Sequence, residues 1–116
     1  MVPRRKTRVV PPPPVCPLTT CMRLLGGAWT PNVLWYLRET PRRFSELKND
    51  LSGVSAKTLS ARLRKLERDG VVHREVKPTS PPTVEYRLTS LGRRLIPAIE
   101  AIVDVGHELK RLRAVR

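Results

Sequence analysis

The chain has 116 residues and carries 23 Lys and Arg against 10 Asp and Glu, a formal net charge of +13. Charge of that size favours polyanionic partners, and the length allows one small domain whose modest core would gain from a second subunit. With 40% hydrophobic residues the chain is not disordered as a whole, no apolar run approaches a membrane span, and two cysteines without an apolar signal core indicate a reduced, cytoplasmic protein rather than a secreted disulfide scaffold.

Residues 1–15 are expected to form a basic, proline-rich flexible arm. Arg4, Arg5, Lys6 and Arg8 precede Pro11 to Pro14, whose short polyproline II stretch suits neither helix nor strand. Two readings of the arm stand side by side, a solvated basic tail and an arm laid on DNA. The folded unit is expected over residues 16–110. Pro17 suits the first position of a helix, with Leu18, Cys21, Leu24 and Leu25 facing inward and Gly26-Gly27 ending it. A second helix is expected with Thr30 as cap and Pro31 as its first residue. Val33, Leu34 and Leu37 form its buried stripe, Trp29 and Trp35 are available to fill the core, and Pro41-Arg42-Arg43 breaks the chain. The third helix is short. Phe44 precedes Ser45 as a staple residue precedes its cap, Glu46 sits in the first turn, and Leu47 and Leu51 point in.

Ser52-Gly53 then turns into VSAKTLSARLRKLERDG, residues 54–70, a helix with clear ends. Ser55 offers a hydroxyl to the first-turn N–H groups, and Gly70 enters the left-handed region without a Cβ penalty. Leu59, Leu63 and Leu66 recur at i, i+4 and i+7, an apolar seam. About 180° away lie Lys57, Ala61, Arg64 and Arg68, flanked by Thr58, Ser60 and Lys65. A short helix, a glycine turn and a longer helix with a basic outer face are the parts of a helix-turn-helix.

After Gly70 the period changes to 2. Val72 and Val76, then Val84, Tyr86 and Leu88, make a hairpin around the proline-stiffened loop KPTSPPT, which is a wing directly after the basic helix. The last helix begins near Thr89 or Ser90, with Pro97 expected to bend it. Its apolar band includes Leu91, Leu95, Ile99, Ile102, Val103, Gly106 and Leu109. A band that wide at the end of a small domain points to a dimer interface, for which Leu95, Ile99, Ile102, Val103, Gly106 and Leu109 are the candidates. Residues 111–116 are expected to be a basic tail.

From Cys16 to about Leu109 the chain resembles the HxlR-type winged-helix transcriptional regulators, relatives of the MarR group. The resemblance rests on Cys16-Pro17, Gly26-Gly27 with Trp29-Thr30, Pro41 to Leu47, Lys57 to Ser60 with Arg62-Leu63, Asp69-Gly70, Pro81-Pro82 with Val84 to Tyr86, and Leu88-Thr89 with Leu91-Gly92. It implies a mainly α fold with a small β-hairpin wing, dimerised through terminal helices. It also implies a homodimer on double-stranded DNA with a palindromic operator, and Cys16 as a thiol sensor of oxidants or electrophiles. Ala28 and Thr83 depart from the family, which usually places basic residues there, so part of the phosphate grip is altered.

The candidate DNA-contacting set is Thr30, Arg43 and Ser45; Ser55, Lys57, Thr58, Ser60, Ala61, Arg62, Arg64, Lys65 and Arg68 on the organising helix; and Lys77, Thr79, Ser80 and Thr83 at the wing. Cys16 is expected to be reactive at the start of the first helix, and Cys21 to be a small core residue. Residues five apart on a helix are too far out of phase for a Cys16–Cys21 bridge. An enzyme is not expected, because His73 and His107 lie on different elements and neither has a ligand-like partner. No cofactor, metal or membrane partner is expected, and the inducer stays open. The protein is placed in the cytoplasm of a bacterium or archaeon, with the nucleoid. The competing reading is a nucleoid-type protein that binds nucleic acid by charge alone, which would share the net charge without needing a wing or a dimer helix.

Overall fold

The computed structural model describes residues 16–115, so the expected arm, including Arg4 to Arg8, lies outside the described residues. Five helices and a three-stranded antiparallel sheet follow one another as α1 (Pro17–Leu25), α2 (Thr30–Tyr36), β1 (Arg42–Arg43), α3 (Phe44–Asp50), α4 (Ala56–Arg68), β2 (Val72–Lys77), β3 (Thr83–Leu88) and α5 (Ser90–Val115). This is a winged helix, mostly α, with β2 and β3 as the wing.

α1 begins at Pro17, but it buries none of its residues. Leu24 and Leu25 pack partly against the core. Leu18 is 66% exposed and Cys21 is exposed, which corrects the expectation that both face inward. Among the described residues, no other element covers that side of the helix.

The cap of α2 falls one residue before the expected one. Trp29 takes a left-handed conformation (φ 77) and its carbonyl accepts the Val33 N–H at 2.9 Å, so Thr30 is already helical. A left-handed tryptophan costs about 1 kcal/mol or more relative to glycine, and its ring packs against the core. Val33, Leu34 and Leu37 are buried as expected.

Arg42 and Arg43 are not a simple break. They pair with Tyr86 and Glu85 of β3, giving the sheet order β1-β3-β2. That pairing holds Arg43 extended, and α3 starts immediately after it. Arg43, not Ser45, is therefore the cap, and its N–H donates to Glu46 Oε1 at 2.8 Å.

α4 has the ends its sequence specifies. Ser55 Oγ accepts the Thr58 N–H at 3.0 Å. At the other end Gly70 has φ 78. The Gly70 N–H donates to Glu67 O and the Val71 N–H to Leu66 O, the two bonds of a Schellman motif. Leu59, Leu63 and Leu66 are fully buried. They meet Leu34, Leu47, Leu51, Val71, Val72, Leu88 and Ile99 in one core, and truncating any of the three to Ala should cost about 2–5 kcal/mol.

β2 and β3 pair from Val72↔Leu88 to Lys77↔Thr83. Only the base of the hairpin is buried; Val76, opposite Val84, is 53% exposed. Thr89 then fastens α5 to the end of α4, because its hydroxyl donates to Gly70 O and accepts the Gly92 N–H. A Cβ on Gly92 would collide with the Val71 carbonyl oxygen, so glycine is required for this approach. α5 runs without interruption through Pro97 to Val115. Residues 111–115 therefore prolong the helix rather than starting a separate tail.

Candidate nucleic-acid interface

The outer face of α4 is built by the burial of its inner one. With Leu59, Leu63 and Leu66 fixed in the core, Lys57, Arg64 and Arg68 are exposed, while Thr58, Ser60 and Ala61 are half-buried beside them. Arg64 Nη1 donates to Ser60 Oγ at 2.7 Å, one helical turn back, which lays the guanidinium along the helix surface. The Ser55 hydroxyl donates to the Thr58 hydroxyl at 3.0 Å, so the first turn carries an ordered hydroxyl pair. Arg43 and Ser45 are exposed at the start of α3, the helix preceding the turn.

Four sequence-predicted positions make hydrogen bonds or ion pairs within the chain. Thr30 is fully buried and its hydroxyl donates to Gly26 O at 3.0 Å, so it closes the α1–α2 turn and is not at the surface. Arg62 Nε donates to Ala28 O at 2.8 Å. Lys65 Nζ donates to Leu24 O at 3.1 Å and pairs with Asp69 at 3.0 Å. Both point along the side of α4 that faces the α1–α2 junction. Lys77 lies 3.7 Å from both Glu75 and Glu85, the directly opposed carboxylates of the two wing strands. Arg87 also pairs with Glu75 at 2.7 Å, so one face of the wing stem carries an ionic ladder of two cations and two carboxylates. Exposed pairs of this kind contribute little to stability, but they leave Lys77 beside two negative charges. At the wing tip Thr79 Oγ1 donates to Pro81 O at 2.7 Å and lies 3.2 Å from the Thr83 hydroxyl, while Ser80 is exposed.

The α5 band divides into two stripes. Ile99 is 3% exposed and belongs to the chain's own core, against which Leu95 and Val103 also pack. That corrects the assignment of Ile99 to a subunit interface and weakens it for Leu95 and Val103. The other stripe faces outward. Ile102, Val105, Leu109 and Leu112 are 46–58% exposed. Ile102, Val105 and Leu109 line a shallow apolar depression of about 340 Å³ with Ala101 and Gly106. Val105 and Leu112 are not among the sequence candidates, because a helical period alone does not separate one wide band into two stripes. On α1, Leu18 and Met22 are exposed one turn apart, a second apolar strip that no sequence signal distinguishes from a core stripe.

Cys16 and Cys21 are both exposed free thiols. Among the described residues no group of His, Cys, Asp or Glu is placed to hold a metal ion. Likewise, no helix among them is long and apolar enough to cross a membrane.

A family model described as HxlR-like helix-turn-helix matches residues 24–113. The uncharacterised HTH-type transcriptional regulator YdeP of Bacillus subtilis (strain 168) is 41% identical over 95 residues, which span 82% of this chain and 74% of YdeP. Among solved structures, the redox regulator HypR in its reduced form superposes with a TM-score of 0.80 at 31% identity, covering 87% of this chain and 100% of that one. The reduced form of the transcriptional regulator YodB from B. subtilis gives a TM-score of 0.71 at 32% identity, covering 78% and 90%. The family match runs from the end of α1 almost to the end of α5 and is carried on the same helix-turn-helix and wing, which makes this chain a member of the HxlR-like helix-turn-helix family of transcriptional regulators.

Proposed function

We propose that the protein is a homodimeric, thiol-responsive repressor that reads an inverted-repeat operator in double-stranded DNA through α4. The observation that carries this reading is the outer face of α4, where Lys57, Ala61, Arg64 and Arg68 lie opposite a fully buried leucine seam at the second position of a helix-turn-helix. The N-terminal part of such a helix enters the major groove, so Lys57, Thr58 and Ala61 lie nearest the base edges, with Arg64 behind them. Arg68 and Arg43 contact phosphates. Two-fold symmetry places two α4 helices in successive major grooves, with half-site centres about one helical turn apart. Dimerisation is supported by the exposed stripes on α5 and α1, which lack a cover among the described residues. A compact dimer seated over a promoter represses by occlusion. Thiol response is supported by the exposure of Cys16 and by the likeness to HypR, a redox regulator. Such a regulator works in the cytoplasm on the nucleoid and needs no catalytic group.

The test is binding to a duplex selected from a random pool by the native protein, compared with a scrambled duplex, over a series of salt concentrations. The expected preference is roughly a thousandfold, with steep weakening as salt rises. Equal affinity for the two duplexes at moderate salt would refute the specific-regulator reading in favour of binding by charge alone.

A further inference from the structure

Two cations on α4 turn away from its outer face, Lys65 to the end of α1 and Arg62 to the loop that follows it. Lys65 Nζ donates to Leu24 O at 3.1 Å and reaches Arg23 O at 3.4 Å. These carbonyls belong to the last turn of α1, where a cation meets the negative end of the dipole; Arg23 O also accepts the Gly26 N–H at 3.3 Å. Asp69, one turn on from Lys65, holds the same ammonium at 3.0 Å. Three residues before Lys65, Arg62 Nε donates to Ala28 O at 2.8 Å. The Arg62 guanidinium lies directly over Gly27, where an added Cβ would come within 3.3 Å of it. α1 itself buries no residue. Lys65 thus ties α4 to the last turn of α1, and Arg62 ties it to the loop between α1 and α2, beside the partial packing of Leu24 and Leu25 against the core.

From this geometry we infer that Arg62 and Lys65 are positioning residues. They form a clasp that sets the tilt of the DNA-reading helix against the α1–α2 junction, and they do not contact phosphate. The inference rests on the reading of α4 as the DNA-reading helix. Because Cys16 and Cys21 flank the first turn of α1, which also carries an exposed apolar strip, a displacement of α1 reaches α4 through this clasp.

The experiment uses Lys65→Met and Arg62→Met, which keep the side-chain stem and remove the donors. Each is measured on the duplex selected by the native protein and on a mixed-sequence duplex, across a salt series, with circular dichroism to confirm folding. A positioning role predicts that affinity for the selected duplex falls about tenfold or more while affinity for the mixed duplex and the salt slope stay as in the native protein. A direct phosphate interaction predicts instead that both affinities fall and the slope drops by about 0.9 for each phosphate left without its cation, which would overturn the inference. Equal proportional losses without a slope change, or no loss, would overturn it as well. If one variant does not fold, the other decides. Native protein that shows no preference for its selected duplex defeats the underlying DNA reading instead, so the two failures are distinguishable.

Discussion

The arginines and lysines of α4 differ in their surroundings: Arg62 and Lys65 bond to backbone carbonyls before α2, whereas Lys57 and Arg68 are exposed. Arg68 is exposed in the last turn, so Arg68→Ala should weaken binding to all sequences alike and lower the salt slope by about one unit. Lys57 is exposed in the first turn, and Lys57→Ala should instead narrow the gap between selected and scrambled DNA, as read by competition binding. If the two substitutions lower both affinities in the same proportion, α4 does not read bases. The cysteines are a second case at this scale. Both are exposed in the single chain, so a thiol reagent should titrate two groups per folded chain without denaturant; a single reactive thiol would place Cys21 under the second subunit. Release of DNA by diamide should persist in Cys21→Ser and disappear in Cys16→Ser. Native protein that keeps its DNA while Cys16 is modified would end the sensor proposal.

At the scale of elements, the start of α5 is attached with little tolerance. Thr89 bonds to both Gly70 and Gly92, and Gly92 sits against the Val71 carbonyl where a methyl group has no space. Gly92→Ala should therefore lower stability by about 1–3 kcal/mol, seen as a shifted urea midpoint, even though alanine is the better helix former. Gly106 lies on the same helix with nothing near an added Cβ within the chain, so Gly106→Ala should not cost stability through a clash of this kind. A Gly92→Ala protein as stable as the native one would mean that α5 is free to shift from β3 and the α4 end.

For the whole molecule, the two stripes of α5 predict opposite outcomes. Ile102 is 56% exposed and Ile99 is 3% exposed. Ile102→Glu should place an unpaired charge in the subunit interface and give monomers or aggregates with weak DNA binding. Ile99→Ala should cost about 2–5 kcal/mol of folding stability and leave the dimer intact. Sedimentation of the two variants checks both, and a soluble, fully dimeric Ile102→Glu protein would move the interface elsewhere, with the exposed strip on α1 as the next candidate.

Sequence alone determined what is encoded within a few residues of itself. The caps of α4 at Ser55 and Gly70 and its leucine seam are local hydrogen bonds and a local period, so they are legible without a fold. The hairpin period and the glycine between α3 and α4 are legible for the same reason. The tertiary structure decided which side chains are covered and which polar groups find distant partners. Arg42 and Arg43 form a strand only because β3 lies beside them, and two residues have no period to read. Arg62 and Lys65 are indistinguishable in sequence from the rest of a basic helix; only the fold brings Ala28 and Leu24, far away along the chain, close enough to accept their hydrogen bonds. Thr30 and Ile99 are buried, and Leu18 and Cys21 exposed, for one physical reason. A helical period shows that a face is apolar, but only the neighbouring elements determine whether that face is covered within the chain.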